Sequence, residues 1–258
     1  MIEALFFDID GTLVDFGTHA VPDSTLSALL SARGRGVRLF VATGRHKADT
    51  ACVSHIDFDG YVTANGGYCF TADGHVVHKS RFSRRSIESL LGMLHAHPFS
   101  VAMLTAEKWY CNAVNDNVRA LSEMVGLPIP ELADLEALSS REEIIEMCLY
   151  VDEEQQERIM ANLDDCTASR WNPISADLNP SDTDKATGIE KMLAHYGLDR
   201  RQAMAFGDGG NDISMLRYAG VGVAMGSASE EVRLAADYVT DAAGDDGIRN
   251  ALKHFNII

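Results

Sequence analysis

Residues 4–13 of the chain read ALFFDIDGTL. The first part of this stretch, Ala4 to Phe7, is wholly apolar, and the apolar run stops at Asp8-Ile9-Asp10-Gly11. A short apolar run that ends abruptly in polar residues is typical of a buried parallel strand followed by a loop. We therefore predict a first strand with two carboxylates, those of Asp8 and Asp10, just past its carboxyl end.

Helix-like and strand-like segments alternate after this strand. A helix start at Pro22-Asp23-Ser24 is followed by leucines at helical spacing up to Gly34. Val37 to Ala42 and Tyr61 to Thr63 are typical of two further strands, and a glycine follows closely after each. This alternation predicts a parallel sheet that is covered by helices.

The same alternation returns near the end of the chain, where a helix-like stretch at Ala186 to Tyr196 precedes a strand at Met204 to Phe206. Between these halves, from Phe82 to Thr183, helical and strand-like stretches are interspersed in a pattern that fits an α+β insert. We therefore predict an α/β fold with two domains. Residues 1–81 and 184–258 form a doubly wound, Rossmann-like core with a parallel sheet, and residues 82–183 form the inserted α+β domain.

The composition excludes several classes of protein. The 258 residues are 46% hydrophobic and 23% charged, which excludes wholesale disorder and fibrous repeats. Lys plus Arg is 22 and Asp plus Glu is 38, so the net charge is -16. A field of this sign repels polyphosphate backbones and anionic lipid, and we expect no nucleic-acid or membrane partner.

Neither a membrane span nor a secretory signal is visible in the sequence. The longest apolar run, Met147 to Val151, is far shorter than the roughly 18 residues that suggest a span. No basic residue precedes Arg33, so the charged start of a secretory signal is missing. The five cysteines are widely spaced, without a C-x-x-C pair, which favours reduced thiols over a disulfide framework. We expect a cytoplasmic protein with buried, reduced cysteines.

Two acidic clusters are the main candidates for a functional site. A spacing of two in extended backbone can direct the side chains of Asp8 and Asp10 to the same side. Asp208, Asn211 and Asp212 follow the late strand, and they lie at the same edge of the sheet if that strand is parallel to the first. Converging carboxylates repel one another unless a divalent cation holds them, and hard oxygen ligands favour Mg²⁺. Mg²⁺ is the expected cofactor, although each cluster taken alone also fits an ordinary loop.

Two further residues are candidates for holding an anion. Thr43 ends the second strand beside a predicted helix start and offers a hydroxyl and a backbone N–H. Lys185 stands at the start of another helix and can bring a positive charge to the same anion, although a lone lysine is usually a solvated surface charge. Arg45 either orients a substrate or forms a salt bridge at the helix start, and the sequence leaves both open.

These motifs follow one another in the order of a known family. They are Asp8-Ile-Asp10-Gly-Thr-Leu13, Val41-Ala-Thr43-Gly44-Arg45, Asp184-Lys185 and Gly207-Asp208-Gly-Gly-Asn211-Asp212. This order resembles the four motifs of the haloacid dehalogenase (HAD) superfamily of phosphatases. The insert and the Asn65-Gly66 loop resemble the Cof-type subfamily of sugar phosphatases, in which an α+β cap occupies this place. The resemblance implies that residues 82–183 form a cap that selects the substrate.

The resemblance also implies a role for each motif residue. Asp8 would be the nucleophile that takes the phosphoryl group, and Asp10 would be the general acid and then the general base. Asp8, the backbone carbonyl of Asp10, and Asp208 would hold Mg²⁺, and Asp212 would support the metal from beside it. A further set would bind the phosphoryl group or the substrate: Thr43, Gly44, Arg45, Lys185 and Asn211.

The expected activity is Mg²⁺-dependent hydrolysis of phosphate monoesters of small metabolites, foremost sugar phosphates. Because an attacking carboxylate and a phosphate monoester are both anions, positive charge is needed at the site before in-line displacement. Two alternatives remain open. One is a phosphosugar mutase on the same core, which returns the phosphoryl group to a sugar, and the other is a non-catalytic phospho-acceptor module.

Overall fold

The structure is a computed structural model that describes the backbone of residues 1–258 and every side chain except that of Trp171. Its strands are β1 (Ala4–Phe7), β2 (Arg38–Ala42), β3 (Gly60–Thr63), β4 (Tyr68–Thr71), β5 (Val76–Lys79), β6 (Val101–Leu104), β7 (Trp109–Cys111), β8 (Glu131–Leu132), β9 (Glu146–Leu149), β10 (Cys166–Asn172), β11 (Ser175–Pro180), β12 (Ala203–Gly207), β13 (Val221–Ala224) and β14 (Tyr238–Val239). Its α-helices are α1 (Asp23–Gly34), α2 (Arg84–Ala96), α3 (Asp116–Val125), α4 (Leu135–Ser139), α5 (Glu153–Met160), α6 (Lys185–Tyr196), α7 (Ile213–Tyr218), α8 (Glu230–Ala235) and α9 (Gly247–His254).

The chain divides into two compact units. The first consists of Met1–His78 and Asp184–Ile258, and the second consists of Lys79–Thr183. The first boundary falls after His78 rather than after residue 81, where the sequence suggested it, and the second falls after Thr183.

The first unit is built on an eight-stranded sheet with the order β14-β13-β12-β1-β2-β3-β4-β5. The strands from β14 to β3 are parallel, and β4 is antiparallel to β3. The chain adds strands outward from β1 on one side and outward from β12 on the other, so its winding changes direction between these two strands. The prediction of a doubly wound α/β core is confirmed. In such sheets ligands bind at the carboxyl ends of the strands, at this switch point.

Both faces of this sheet are buried. On β1, Leu5 and Phe7 belong to an apolar cluster with residues of α1 and α9, whereas Ala4 and Phe6 belong to a second cluster with residues of α6, α7 and α8. This division follows from the alternation of side chains along a strand. The ring of Phe7 stacks on that of Phe206 with centroids 4.8 Å apart. The packing holds β1 firmly between its neighbours and so fixes the start of the loop that follows it.

The second unit contains a six-stranded sheet with the order β10-β11-β9-β6-β7-β8. Its strand pairs are antiparallel except for β7 and β8. One face packs apolar side chains against α2, α4 and α5, as expected for an α+β unit. Among the described residues, every helix falls short of the length and apolar character that a membrane crossing needs.

Candidate active site

The loops after β1 and β12 lie side by side at the carboxyl edge of the first unit's sheet. Because β1 and β12 are parallel neighbours, both strands end at this edge. The amide of Asp8 donates to the carbonyl of Phe206 at 3.0 Å, and the hydroxyl of Thr12 donates to Oδ1 of Asp208, also at 3.0 Å. The structure therefore brings the two predicted acidic clusters together.

Lys185 lies between two carboxylates of this site. Its Nζ donates to Oδ1 of Asp8 at 2.7 Å and to Oδ1 of Asp212 at 2.6 Å. The lysine is the first residue of α6, and the side chain of Asp184 caps this helix by accepting from the amide of Thr187 at 2.7 Å. The helix start thus sets the place of the lysine. Its side chain is buried, and a buried ammonium requires carboxylate partners of this kind.

Asp212 fixes the shape of the second acidic loop. Its Oδ2 accepts from the amides of Asp208 and Gly209 at 2.9 and 2.8 Å, while its Oδ1 accepts from Lys185. Gly207 makes this fold of the loop possible, because a Cβ at this position would lie 2.5 Å from Cγ of Asp212. Both carboxylate oxygens of Asp212 are therefore engaged within the protein.

Asp10 points to a different partner than Asp8 does. Nε and Nη2 of Arg45 each donate to one oxygen of the Asp10 carboxylate, both at 2.8 Å. The sequence leaves open whether Arg45 orients a substrate or forms a salt bridge, and the structure contains a salt bridge, to Asp10. The hydrogen bond to Asp10 is the main cause that raises the pKa of the Arg45 guanidinium above its usual value.

The structure corrects part of the prediction of an anion site at Thr43. The Thr43 amide donates to the carbonyl of Val62 at 2.8 Å, so it is not available to an anion. The predicted helix is a 3₁₀ helix, Lys47–Val53, and it starts after His46 rather than beside Thr43. The buried Thr43 hydroxyl remains, and it accepts from the amide of Arg45 at 3.1 Å.

Asn65 lies against two predicted site residues, Asn211 and Gly44, although the sequence alone indicates no functional role for it. Its Oδ1 accepts from Nδ2 of Asn211 at 3.0 Å, and a Cβ on Gly44 would lie 3.1 Å from the same Oδ1. Asn65 is buried and has a positive φ of 49°. This left-handed conformation is uncommon outside glycine, although asparagine tolerates it better than most residues, and it is often found at functional sites. The signal available in the sequence was an Asn-Gly pair directly after a predicted parallel strand.

The charge at this site is unbalanced. Burial raises the pKa of Asp8 to about 8 against the opposing charge of Lys185, and the Asp212 carboxylate adds to the rise. Burial likewise raises the pKa of Asp208 to about 6, and repulsion from Asp212 is the next cause. Burial alone would lower the pKa of Lys185, but Asp212 and Asp8 outweigh it and hold this pKa above its usual value. The carboxylates outnumber the ammonium, so a further cation stabilises their ionised form.

The donor atoms fit a hard divalent cation. One carboxylate oxygen from each of Asp8, Asp208 and Asp212 lies within 4.8 Å of the others. Since Asp212 uses both oxygens in hydrogen bonds, Asp8 and Asp208 are the carboxylates that can offer one to a metal. Among the hydrogen bonds of the described residues, each of these two carboxylates uses only its Oδ1. Oδ1 of Asp8 accepts from Lys185, and Oδ1 of Asp208 accepts from Thr12. Oxygen donors of this kind suit hard divalent ions.

Comparison with known proteins agrees with this geometry. Residues 5–252 match the family of haloacid dehalogenase-like hydrolases. The putative phosphatase YkrA of Bacillus subtilis is 30% identical over 257 residues, which cover 98% of each chain. A second relative from the same organism, YcsE, is 26% identical, and the alignment covers 98% of this chain and 96% of YcsE. Its name describes it as a 5-amino-6-(5-phospho-D-ribitylamino)uracil phosphatase.

Solved structures show the same likeness. The phosphatase BT1666 of Bacteroides thetaiotaomicron has a TM-score of 0.94 and 38% identity, and the match covers 100% of this chain and 96% of that one. BT4131, described as a HAD subclass IIB sugar phosphatase, has a TM-score of 0.91 and 38% identity, with 99% and 100% of the chains covered. The chain therefore belongs to the haloacid dehalogenase-like hydrolases and, within them, to the Cof-type phosphatases.

Proposed function

We propose that the chain is a Mg²⁺-dependent phosphatase that hydrolyses phosphate monoesters of small metabolites, foremost sugar phosphates, through an aspartyl phosphate on Asp8. The observation that carries this proposal is the buried Asp8 carboxylate, 2.7 Å from Lys185 and clustered with Asp208. A nucleophile, a fixed positive charge and oxygen ligands for a cation meet at this point. The likeness to BT4131, which is described as a sugar phosphatase, supports the substrate class.

In the first half-reaction an oxygen of Asp8 forms a bond to phosphorus while the bond from phosphorus to the leaving oxygen breaks. Asp10 gives its proton to the leaving oxygen, so the alcohol departs neutral. Lys185 holds its charge beside the attacking carboxylate and reduces the repulsion between the two anions. The products are an aspartyl phosphate on Asp8 and a free alcohol.

The second half-reaction releases the phosphoryl group to water. A water molecule attacks phosphorus and gives a proton to the ionised Asp10, and the bond between phosphorus and the Asp8 oxygen breaks. Inorganic phosphate leaves, Asp8 is again a carboxylate, and Asp10 again carries its proton. One residue thereby serves as acid and then as base.

The other members of the site hold the reacting groups in place. Asp8, the carbonyl of Asp10, and Asp208 would hold Mg²⁺, which when bound supplies positive charge to the phosphoryl oxygens. Asp212 keeps its loop and Lys185 in place. A remaining set completes the proposed binding of the phosphoryl group: the Thr43 hydroxyl, the Gly44 loop and the Asn211 side chain.

The test is release of inorganic phosphate from a panel of sugar and nucleotide monophosphates, with Mg²⁺ and with a chelator. We expect several sugar phosphates to be hydrolysed with Mg²⁺ only, and Asp8→Asn to abolish hydrolysis. Asp164→Asn is the matched control, because this aspartate forms an exposed ion pair with Arg85, and it should leave the rates unchanged.

The same panel contains the outcomes that contradict the proposal. An isomerised sugar phosphate without free phosphate would identify a mutase, and a stable phospho-Asp8 without turnover would identify a phospho-acceptor. Full activity of Asp8→Asn would remove Asp8 from the mechanism. Substrate selection by residues 82–183, the absence of a nucleic-acid partner and a cytoplasmic location stay predictions beside this proposal.

A further inference from the structure

A pocket lined by three arginines lies at the edge of the first unit's sheet opposite the candidate active site. Arg200 and Arg201 directly precede β12, in the 3₁₀ helix Arg200–Gln202, and Arg217 lies in the last turn of α7. Since Asp208 follows the other end of β12, the length of this strand separates the arginines from the acidic loops. The pocket has a volume of about 380 Å³, a size that suits a small molecule.

The backbone holds two walls of this pocket together. The amide of Gly220 donates to the carbonyl of Arg200 at 2.8 Å. A Cβ on Gly220 would lie 2.7 Å from Cα of Arg201, so only glycine allows this approach. Gly220 also lines the pocket and stands between α7 and β13. The contact therefore fixes the segment before β12 against the segment that follows Arg217.

The positive charge of these arginines is only partly compensated by carboxylates. Nε of Arg201 donates to Oδ1 of Asp199 at 2.7 Å. Arg200 and Arg217 take part in none of the ion pairs found among the described residues. The guanidinium carbon of Arg200 instead lies 6.0 Å from the centre of the Tyr218 ring. All three arginines are exposed, so their side chains can turn toward a ligand in the pocket.

Among the described residues that line the pocket, Asp237 is the only acidic one. Its Oδ2 accepts from the amide of Gly222 at 2.8 Å, so the backbone engages one of its oxygens. The pocket thus has three basic residues against one acidic residue, whereas the whole chain has 22 basic and 38 acidic residues. The sign of the local field is reversed here, and a field of that sign attracts anions.

We propose that this pocket binds a small polyanion through phosphate or carboxylate groups, at a site distinct from the candidate active site. The guanidinium group presents paired N–H donors whose geometry matches the oxygens of both groups. Because more than one arginine is available, a ligand with two or more anionic groups gains more than a single phosphate does. Such binding requires neither a metal nor turnover and is therefore independent of the proposed function.

The test measures binding of pyrophosphate and of citrate to the full chain by isothermal titration calorimetry, at low ionic strength and without divalent cations. Pyrophosphate offers phosphate groups and citrate offers carboxylates, so the two probes distinguish the source of the negative charge. We expect at least one of them to bind the wild type, and the double variant Arg200→Gln/Arg217→Gln to raise its Kd by about 10-fold. Failure of both probes to bind the wild type would overturn the proposal.

The matched control is Arg119→Gln/Arg141→Gln, which removes the same charge from two exposed arginines of the second unit. This control should leave the Kd within about 2-fold of the wild-type value, because distant surface charges are screened by water and salt. A probe bound at the active site would be lost in neither double variant. An equal loss in both variants, or a loss in neither, would contradict a site at this pocket.

A gain in affinity provides a second test. Asp237→Asn removes the acidic charge from the pocket and keeps an oxygen for the Gly222 amide. The Kd of the bound probe should therefore fall by about 3-fold. Asp164→Asn changes the net charge equally at an exposed site and should leave the Kd unchanged. An unchanged or raised Kd in Asp237→Asn would place the anion elsewhere and overturn the proposal.

Arg217 also lies at the carboxyl end of α7, where a positive charge stabilises a helix. Thermal unfolding of the ligand-free variants separates this effect from binding. We expect Arg217→Gln alone to raise the Kd of the bound probe by about 3-fold, whatever its unfolding midpoint. A lowered midpoint with an unchanged Kd would show that Arg217 acts on the helix end only, and it would contradict the proposal.

Discussion

Lys185 has 1% of its surface exposed and lies between the carboxylates of Asp8 and Asp212. Removing one partner from a buried ion pair is costly, because the charge that remains is neither solvated nor neutralised. Here two carboxylates lose their partner at once. The lysine is therefore a structural element of the site, beside the charge that the proposed function assigns to it.

Lys185→Met should lower the free energy of unfolding by about 3 kcal/mol and abolish phosphate release. Urea denaturation of the metal-free protein measures the first effect. Lys191→Met is the control, because Lys191 lies on the same helix with 44% of its side chain exposed and pairs only loosely with Glu190. An unchanged unfolding midpoint in Lys185→Met would contradict the buried network.

The sequence predicts which side chains meet at the candidate site but not all of their partners. Asp8, Asp208 and Lys185 converge because parallel strands bring their loops to one edge, which periodicity and motif order predict. The pairing of Asp10 with Arg45 could not be chosen over substrate binding, since both use the same charge. The unavailable Thr43 amide follows from its bond to Val62 on the neighbouring β3, a tertiary contact that local sequence does not encode.

At the scale of elements, the short loop after β3 packs directly on the start of α6. Gly66 has a φ of +97°, and a Cβ there would lie 2.0 Å from the carbonyl oxygen of Asp184, the residue that caps the helix. Since α6 begins at Lys185, this close approach helps to set where the lysine enters the site. Glycine at position 66 is thus required by packing as well as by backbone conformation.

Gly66→Ala should destabilise the protein by about 2 kcal/mol more than Gly74→Ala, and it should lower kcat. Gly74 is the matched control, because its φ of +87° is similar and nothing lies within 4 Å of a Cβ there. The difference between the two variants isolates the clash from the cost of a positive φ. If Gly66→Ala and Gly74→Ala lowered the free energy of unfolding equally, the loop would have to move to accommodate the Cβ without disturbing α6.

Strands of the first sheet were easier to predict than those of the second. β1, β2 and β12 are buried on both faces, so each reads as an apolar run. β11, with the sequence SADLNP, gives only a weak strand signal because one face of it is polar and it ends in proline. β8 spans Glu131–Leu132 and gives no periodic signal, and its pairing with β7 depends on contacts distant in sequence.

At the scale of the whole molecule, the cysteines report how tightly each region is packed. The expectation of buried cysteines is wrong for Cys52, which is exposed, whereas the other four thiols are buried. Burial raises the pKa of Cys69 to about 12 and that of Cys166 to about 11. A raised pKa keeps a thiol protonated near neutral pH, and only the thiolate is a good nucleophile.

Partial burial raises the pKa of Cys52 as well, so its exposure to solvent is what sets it apart. In the native protein at pH 8, a thiol reagent should therefore modify Cys52 faster than the four buried cysteines. Under denaturing conditions all five thiols should react. Peptide mapping of the modified protein checks the site, and Cys52→Ser should remove the fast phase. Fast modification of a second cysteine would contradict the packing described for that region.

The central claim is that Asp8 itself captures the phosphoryl group. The direct measurement uses Asp10→Ala, in which loss of the base slows the second half-reaction, with p-nitrophenyl phosphate and Mg²⁺. Borohydride reduces an aspartyl phosphate to homoserine, so a quenched, reduced sample can be digested and sequenced by mass spectrometry. The account predicts homoserine at residue 8 and at no other aspartate. Turnover with an unmodified Asp8, or homoserine at another position, would contradict it.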